Sequence, residues 1–341
     1  MSRIVMGGTN FGDPGRGTHP WSLGLDEARP FFRQAIECGI TAFDTANVYS
    51  CGVSEEIIGK LVREFSKRDE VVIATKVFGR MGSGPKDGGL SRTAILTQVD
   101  ESLRRLGTDY IDLYQIHRFD PQVTIEETMA ALHDLVRAGK VRYLGACSMW
   151  TWQFAQMQHA ADLNGWTRFV SMQNHYNLLQ REEEREMLPF CRYQGVGVIP
   201  WSPLARGRLT RAPGAETERS RMDVSASRLY DRTATGDKAI IDAVTAVAER
   251  RGVSRAQVAL AWVMQQEGIT APIVGTTRLH HLTEAVAALD LELSTSEQEH
   301  LTQHYTPRPA LGIAWTRSGA AFGTRSEISG IRRDERTGLN A

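Results

Sequence analysis

The chain has 341 residues, 41% of them apolar, enough for one large α/β domain or two ordinary ones. Its 40 basic and 40 acidic residues cancel, which argues against a nucleic-acid footprint, and no apolar run reaches membrane-spanning length. The scattered cysteines Cys38, Cys51, Cys147 and Cys191 show no metal spacing; with no apolar export segment after Met1, they fit a reducing cytoplasm better than a disulfide scaffold.

In chain order, Ile4-Val5-Met6 predicts a short strand running into Gly7-Gly8-Thr9-Asn10-Phe11-Gly12. A loop punctuated by Pro14, Gly15, Gly17 and Pro20 follows, then a helix from Asp26 to Cys38 closed by Gly39. The apolar stretch Ile40–Phe43 ends in Asp44, with Tyr49 five residues on. Ser54 is the expected cap of the next helix. Val71–Thr75 ends in Lys76, and Ser91 caps a helix to Leu106, stopped by Gly107. Tyr110–Ile116 ends in His117, followed by a helix from Thr124 to Ala138. Further strands are predicted at Val141–Cys147, Phe169–Gln173, Val196–Trp201 and Ile269–Val274. Between and after them come helices at Thr151–Leu163, Glu182–Tyr193, Gly236–Arg251, Ser254–Gln266, Leu279–Leu289 and Thr295–Gln303. Glu182–Glu186 reads as a solvated helix start, Trp152 as a core residue, and Arg206–Thr235 as an irregular charged insertion.

Eight strands alternating with helices, with no clear linker, predict a single-domain (β/α)8 TIM barrel over residues 1–312. An open doubly wound sheet is the rival, but the dinucleotide fingerprint is missing from the first glycine turn. Residues 313–341 form a C-terminal extension, either disordered or folded over the barrel mouth. Catalytic groups of α/β proteins gather at the carboxyl ends of their strands. Asp44, Tyr49, Lys76 and His117 stand at three successive strand ends, and we read them as one proton-transfer constellation.

These segments carry a resemblance. Phe43-Asp44-Thr45-Ala46-Asn47-Val48-Tyr49, Ala74-Thr75-Lys76-Val77 and Gln115-Ile116-His117-Arg118 are similar to the acid–tyrosine, lysine and histidine segments of the aldo-keto reductase family. The likeness runs from Ile4 to Gly312. Gln173-Asn174-His175-Tyr176-Asn177-Leu178, Pro200–Gly207, Gly275-Thr276-Thr277-Arg278 and the insertion after Gly207 resemble a bacterial subgroup related to aryl-alcohol dehydrogenases. The family's N-terminal plugging hairpin is absent or replaced here, since the first strand begins almost at once.

The resemblance implies NADPH, in preference to NADH, reducing small aldehydes or ketones, often aromatic, to alcohols without a metal. Tyr49 would be the general acid, its pKa lowered by Lys76; Asp44 would hold Lys76, and His117 would orient the carbonyl. It places Gly8, Thr9, Asn10 and Asp44 near the cofactor. Trp201 would stack on the nicotinamide, and Ser148 and Gln173 would hold its carboxamide. Ser202, Pro203, Leu204, Gly207 and Leu209 would belt the pyrophosphate, and Gly275, Thr276, Thr277, Arg278 and His281 would serve the adenine end. Phe11, Trp21, Asn47, Val48, Phe78, His117, Arg118, Met149 and Trp150 are expected substrate walls. Two other readings stay open: a cofactor-binding interaction subunit with little turnover, and a sugar-type or biosynthetic reductase, which basic groups among Arg80, Arg118 and Arg206 would favour. Monomer and homo-oligomer are equally allowed.

Overall fold

Side chains alternate between two buried faces along each strand, as in a parallel sheet covered by helices. The computed structural model describes residues 1–308 apart from 18, 85, 212–214, 216 and 232–233. Eight parallel strands lie in the order β7-β6-β5-β4-β3-β2-β1-β8. They are β1 (Val5–Gly7), β2 (Ala42–Asp44), β3 (Val72–Val77), β4 (Ile111–Ile116), β5 (Val141–Cys147), β6 (Phe169–Gln173), β7 (Gly197–Val198) and β8 (Ile273–Val274). The Thr270 amide donates to the Val198 carbonyl and the Ile273 amide to that of Pro200, both at 2.8 Å, closing the barrel. The predicted eighth strand is thereby cut to two residues, with the remainder spent on this seam.

The inward faces form layers. Val5, Ala42, Ala271 and Ile273, with Val72, fill one level. Ala74, Leu113 and Ile199 fill another. Toward the carboxyl ends the same faces turn polar, presenting Asp44, Lys76, Gln115 and Gln173, all buried. Outward residues pack under the helices: Thr75 donates to Glu55 at 2.6 Å, and Glu55 pairs with Arg105 at 2.6 Å.

Twelve α-helices appear among the described residues: α1 (Leu25–Glu37), α2 (Val53–Phe65), α3 (Arg92–Leu106), α4 (Ile125–Arg137), α5 (Thr151–Asn164), α6 (Met187–Gln194), α7 (Glu218–Met222), α8 (Val224–Tyr230), α9 (Ala234–Arg251), α10 (Arg255–Met264), α11 (Leu279–Ala287) and α12 (Thr295–Thr302). Ser91 caps α3 through the Ala94 amide, and Gly107 ends it at φ 63°. Ser54 is not a cap. It lies inside α2 with its hydroxyl bonded to the Gly8 carbonyl and to Thr45, while Gly52, at φ 94°, starts the helix.

Three other expectations fail for physical reasons. The predicted helix from Glu182 breaks into a short 3-10 turn and α6, and Glu182 and Glu183 are buried rather than solvated. Asn174 donates to Glu183, while the Tyr305 hydroxyl and the Arg308 amide both donate to Glu182, so these acids anchor loops. Trp152 is 60% exposed, resting edge-on against Phe119. The insertion is partly helical: Asp223 caps α8 and forms a two-bond ion pair with Arg206. Pro213, Gly214 and the expected extension over 313–341 lie outside the described residues.

Candidate active site

Lys76 has no exposed surface. Its ammonium donates to the Asp44 carboxylate at 2.6 Å and to the Thr45 carbonyl at 2.9 Å, and lies 3.4 Å from the Tyr49 hydroxyl. The other Asp44 oxygen accepts from the Gln115 and Gln173 side-chain amides, both at 2.9 Å. Side chains from β2, β3, β4 and β6 thus lock one another across the barrel interior. The Tyr49 and His117 rings meet edge to face with centroids 5.8 Å apart.

The backbone around the mouth is unusual. Tyr49 opens a turn in which Ser50 and Cys51 hold φ values of 50° and 52°. Phe78, Ser148 and Ser202, just beyond β3, β5 and β7, also have positive φ. Such conformations cost about 1–3 kcal/mol each and gather at functional sites. The Ser50 hydroxyl accepts from the Asp13 amide at 2.7 Å, tying the Tyr49 turn to the loop after β1.

Burial raises the Tyr49 pKa above the ordinary phenol value, against the lowering pull of Lys76. The expected lowering by Lys76 is present, but burial outweighs it: a fully desolvated phenolate costs more than one shared cation returns. Burial works to lower the Lys76 pKa, but Asp44 leads the contributions that raise it, and the net shift is upward. His117 is held well below the usual imidazole range by burial and then by the positive charges of Arg118 and Lys76. At neutral pH the arrangement is a protonated phenol, an ammonium and a neutral imidazole.

These groups open into a cleft of about 2400 Å³. Thr9, Asn10, Gln173, Trp201, Ser202, Pro203, Leu204, Gly207, Gly275, Thr277, Arg278 and His281 line it. So do Trp21, Val48, Phe78, Arg118 and Trp150. Other expected wall residues stand behind this surface. Phe11 packs against Phe31 and Phe32, and Met149 belongs to the hydrophobic core. Asn47 is fully buried and donates to Gln98. Leu209 is core, Gly8 packs under Ile58, and Thr276 turns its hydroxyl to the Arg278 backbone. Ser148 is buried, and its hydroxyl accepts from the Trp201 indole N–H at 2.8 Å.

Several site residues escaped the sequence reading. Gln115 shares the Asp44 oxygen with Gln173; its inward register, two residues before His117, was the available signal. Behind Trp201 the His175 ring stacks at 4.1 Å and 8°, sharing a 2.7 Å hydrogen bond with the Tyr230 hydroxyl. Asn177 ties Tyr230 to the Ser202 carbonyl. Thr210, Arg211, Met222 and Arg228 of the insertion also line the cleft. Nothing in their pattern announced them.

The cleft fits a nicotinamide dinucleotide. Trp201 offers a flat indole already braced from behind, and Gly275–Arg278 leads into the amino terminus of α11, a position suited to phosphate. The Asn10 side-chain NH2 is buried without a protein partner among the described residues, against the backbone of Gly275. Among the described residues no cluster of three or more His, Cys, Asp or Glu side chains gathers to hold a metal ion. No helix there is long and apolar enough to cross a membrane.

The Aldo/keto reductase family model matches residues 3–306. An aldo-keto reductase of Fusarium vanettenii is 45% identical over 336 residues, covering 92% of this chain and 90% of the relative. A putative aryl-alcohol dehydrogenase of Schizosaccharomyces pombe is 42% identical, covering 92% and 94%. The versiconal hemiacetal acetate reductase of Aspergillus parasiticus is 42% identical, covering 90% and 94%. These relatives are fungal, so the bacterial grouping expected from the sequence finds no support among them.

Proposed function

The chain belongs to the Aldo/keto reductase family and is an oxidoreductase, and from that premise we propose that it reduces small aromatic or apolar aldehydes and ketones with NADPH. The observation that carries this reading is the buried Asp44–Lys76 pair 3.4 Å from the Tyr49 hydroxyl, beside His117, on the wall of a dinucleotide-sized cleft. Reduced nicotinamide, when bound, supplies the hydride. Thr9, Asn10, Gln173, Trp201, Ser202 and Gly275–Arg278 would hold the cofactor, with the Arg278 guanidinium suited to a 2′-phosphate.

The chain's own part is positioning and proton transfer. As a carbonyl oxygen gains negative charge, the Tyr49 O–H donates its proton to it, and the phenolate left behind faces the Lys76 ammonium. Asp44 keeps that ammonium charged and aimed. The neutral His117 ring donates an N–H to the same oxygen and fixes its direction. Because Tyr49 holds its proton throughout the neutral range, Lys76 acts on the phenolate formed during transfer rather than by making it in advance.

The test is consumption of NADPH and NADH with aromatic aldehydes, aliphatic aldehydes, sugars and quinones. Tyr49→Phe should lower kcat about 10²- to 10⁴-fold, the range for losing a general acid, while cofactor affinity is kept. Undiminished turnover in that variant would remove Tyr49 from its role. Cofactor binding without turnover of any aldehyde would favour the interaction-subunit reading instead.

A further inference from the structure

Resting on the carbonyl-reductase reading, we propose that the substrate carries an anionic group, a carboxylate on a flat apolar body, and that Arg118 receives it. Arg118 follows His117 at the end of β4, lines the cleft and is half-buried. One of its terminal nitrogens donates to the His117 carbonyl at 2.5 Å and to the Cys147 sulfur at 3.5 Å. Its Nε is buried without a hydrogen-bond partner among the described residues.

No carboxylate among the described residues lies within ion-pair distance of Arg118, whereas three other sheltered arginines are neutralised. Arg105 pairs with Glu55, Arg68 with Asp112 and Arg206 with Asp223. Asp120, two residues away in sequence, is taken by the amides of Leu90 and Gln122. Arg80 is exposed and donates to the Gly84 carbonyl. A guanidinium cannot shed its charge, and withdrawing it from water without a counter-ion is costly. Here that charge also opposes protonation of His117. A bound carboxylate would supply the missing charge in two-bond geometry.

The cofactor's phosphates are not the natural occupant. The residues suited to phosphate follow β7 and β8, which stand three and four strands away from β4 in the strand order. The wall of the same cleft carries Trp21, Phe78 and Trp150, which favours an aromatic or otherwise flat oxo-acid.

The experiment pairs the better of 3- and 4-carboxybenzaldehyde with its neutral carboxamide counterpart, in wild type and Arg118→Gln. Wild type should favour the carboxylate about ten- to hundredfold in kcat/KM, the range for a charge-assisted hydrogen-bonded pair. In Arg118→Gln the ratio should collapse toward unity, chiefly through KM. Calorimetric binding of benzoate against benzamide to wild-type protein adds a readout independent of turnover and of the variant's folding. Equal binding of the two, or a variant that lowers both aldehydes by one factor and keeps their ratio, overturns the proposal. Selective benzoate binding with no aldehyde reduced would leave the Arg118 assignment standing and remove the reductase reading.

Discussion

Replacing Asp44 by Asn isolates the interaction on which the site is built. Lys76 is fully buried, and its ammonium has one carboxylate partner, at 2.6 Å. The Gln115 and Gln173 amides can still donate to the Asn oxygen, so its NH2 faces the ammonium, donor against donor. Removing one member of a buried ion pair costs about 3–5 kcal/mol. In the wild type the Lys76 pKa is raised above its unfolded value of about 10.4. Its contribution is therefore fully present below that value and lost only as pH climbs through the folded one. Without Asp44 the lowering by burial prevails, and the unfolded chain binds the proton more tightly than the fold. The variant's stability relative to wild type should then rise with pH up to about 10.4, by at most about 1.4 kcal/mol per pH unit. Urea unfolding at pH 7 and pH 9.5, followed by tryptophan emission, reads both effects. A loss below about 1 kcal/mol, or a gap equal at the two pH values, would refute the argument that Asp44 keeps Lys76 charged.

The rate of reduction should be level between about pH 7 and 9, since Tyr49 stays protonated and His117 neutral there, and should fall only at more alkaline pH; a break near pH 7 in kcat/KM would contradict this. Gly59→Ala places a Cβ 2.0 Å from the Leu106 carbonyl oxygen, so it should push α2 from α3 and cost about 3 kcal/mol in chemical denaturation; an unchanged midpoint would argue against so close a contact. Burial raises the Glu183 pKa to about 7, so the fold holds that proton more tightly than the unfolded chain. Wild type should therefore lose stability relative to Glu183→Gln as pH rises from about 4.3 to 7, by on the order of 1–3 kcal/mol, and parallel stability curves for the two proteins would exclude it.

Asp44, Lys76 and His117 could be grouped because each ends a predicted strand, where the two-residue period fixes which way a side chain points; Tyr49, in the turn five residues beyond Asp44, had no such period and rested on the resemblance. The barrel was legible from its strands: eight apolar strands separated by helices leave little other topology. Loops carry no such period. Phe11, Asn47 and Met149 sit beside wall residues in sequence yet turn into the core, and Trp152, which looked apolar enough for the core, rides on the surface. The Glu182 run misled because composition suggests solvent, while its partners Asn174, Tyr305 and Arg308 come from distant segments. The residues that the insertion adds to the cleft depend on tertiary ties such as Arg206–Asp223, which no local pattern reports.

Asp44 is held at both oxygens by side chains of β3, β4 and β6, beneath the loops that form the mouth. The acid's tether is therefore mechanically independent of most of the rim, the Tyr49 turn being the exception through its tie to the loop after β1. Rim segments other than the Tyr49 turn can lengthen, swap or drift without loosening that tether, so on the proposed reading a new preference can arise by loop exchange while the Asp44–Lys76 pair is kept. A library confined to rim loops outside the Tyr49 turn should yield variants that differ in what they accept and agree in how they react.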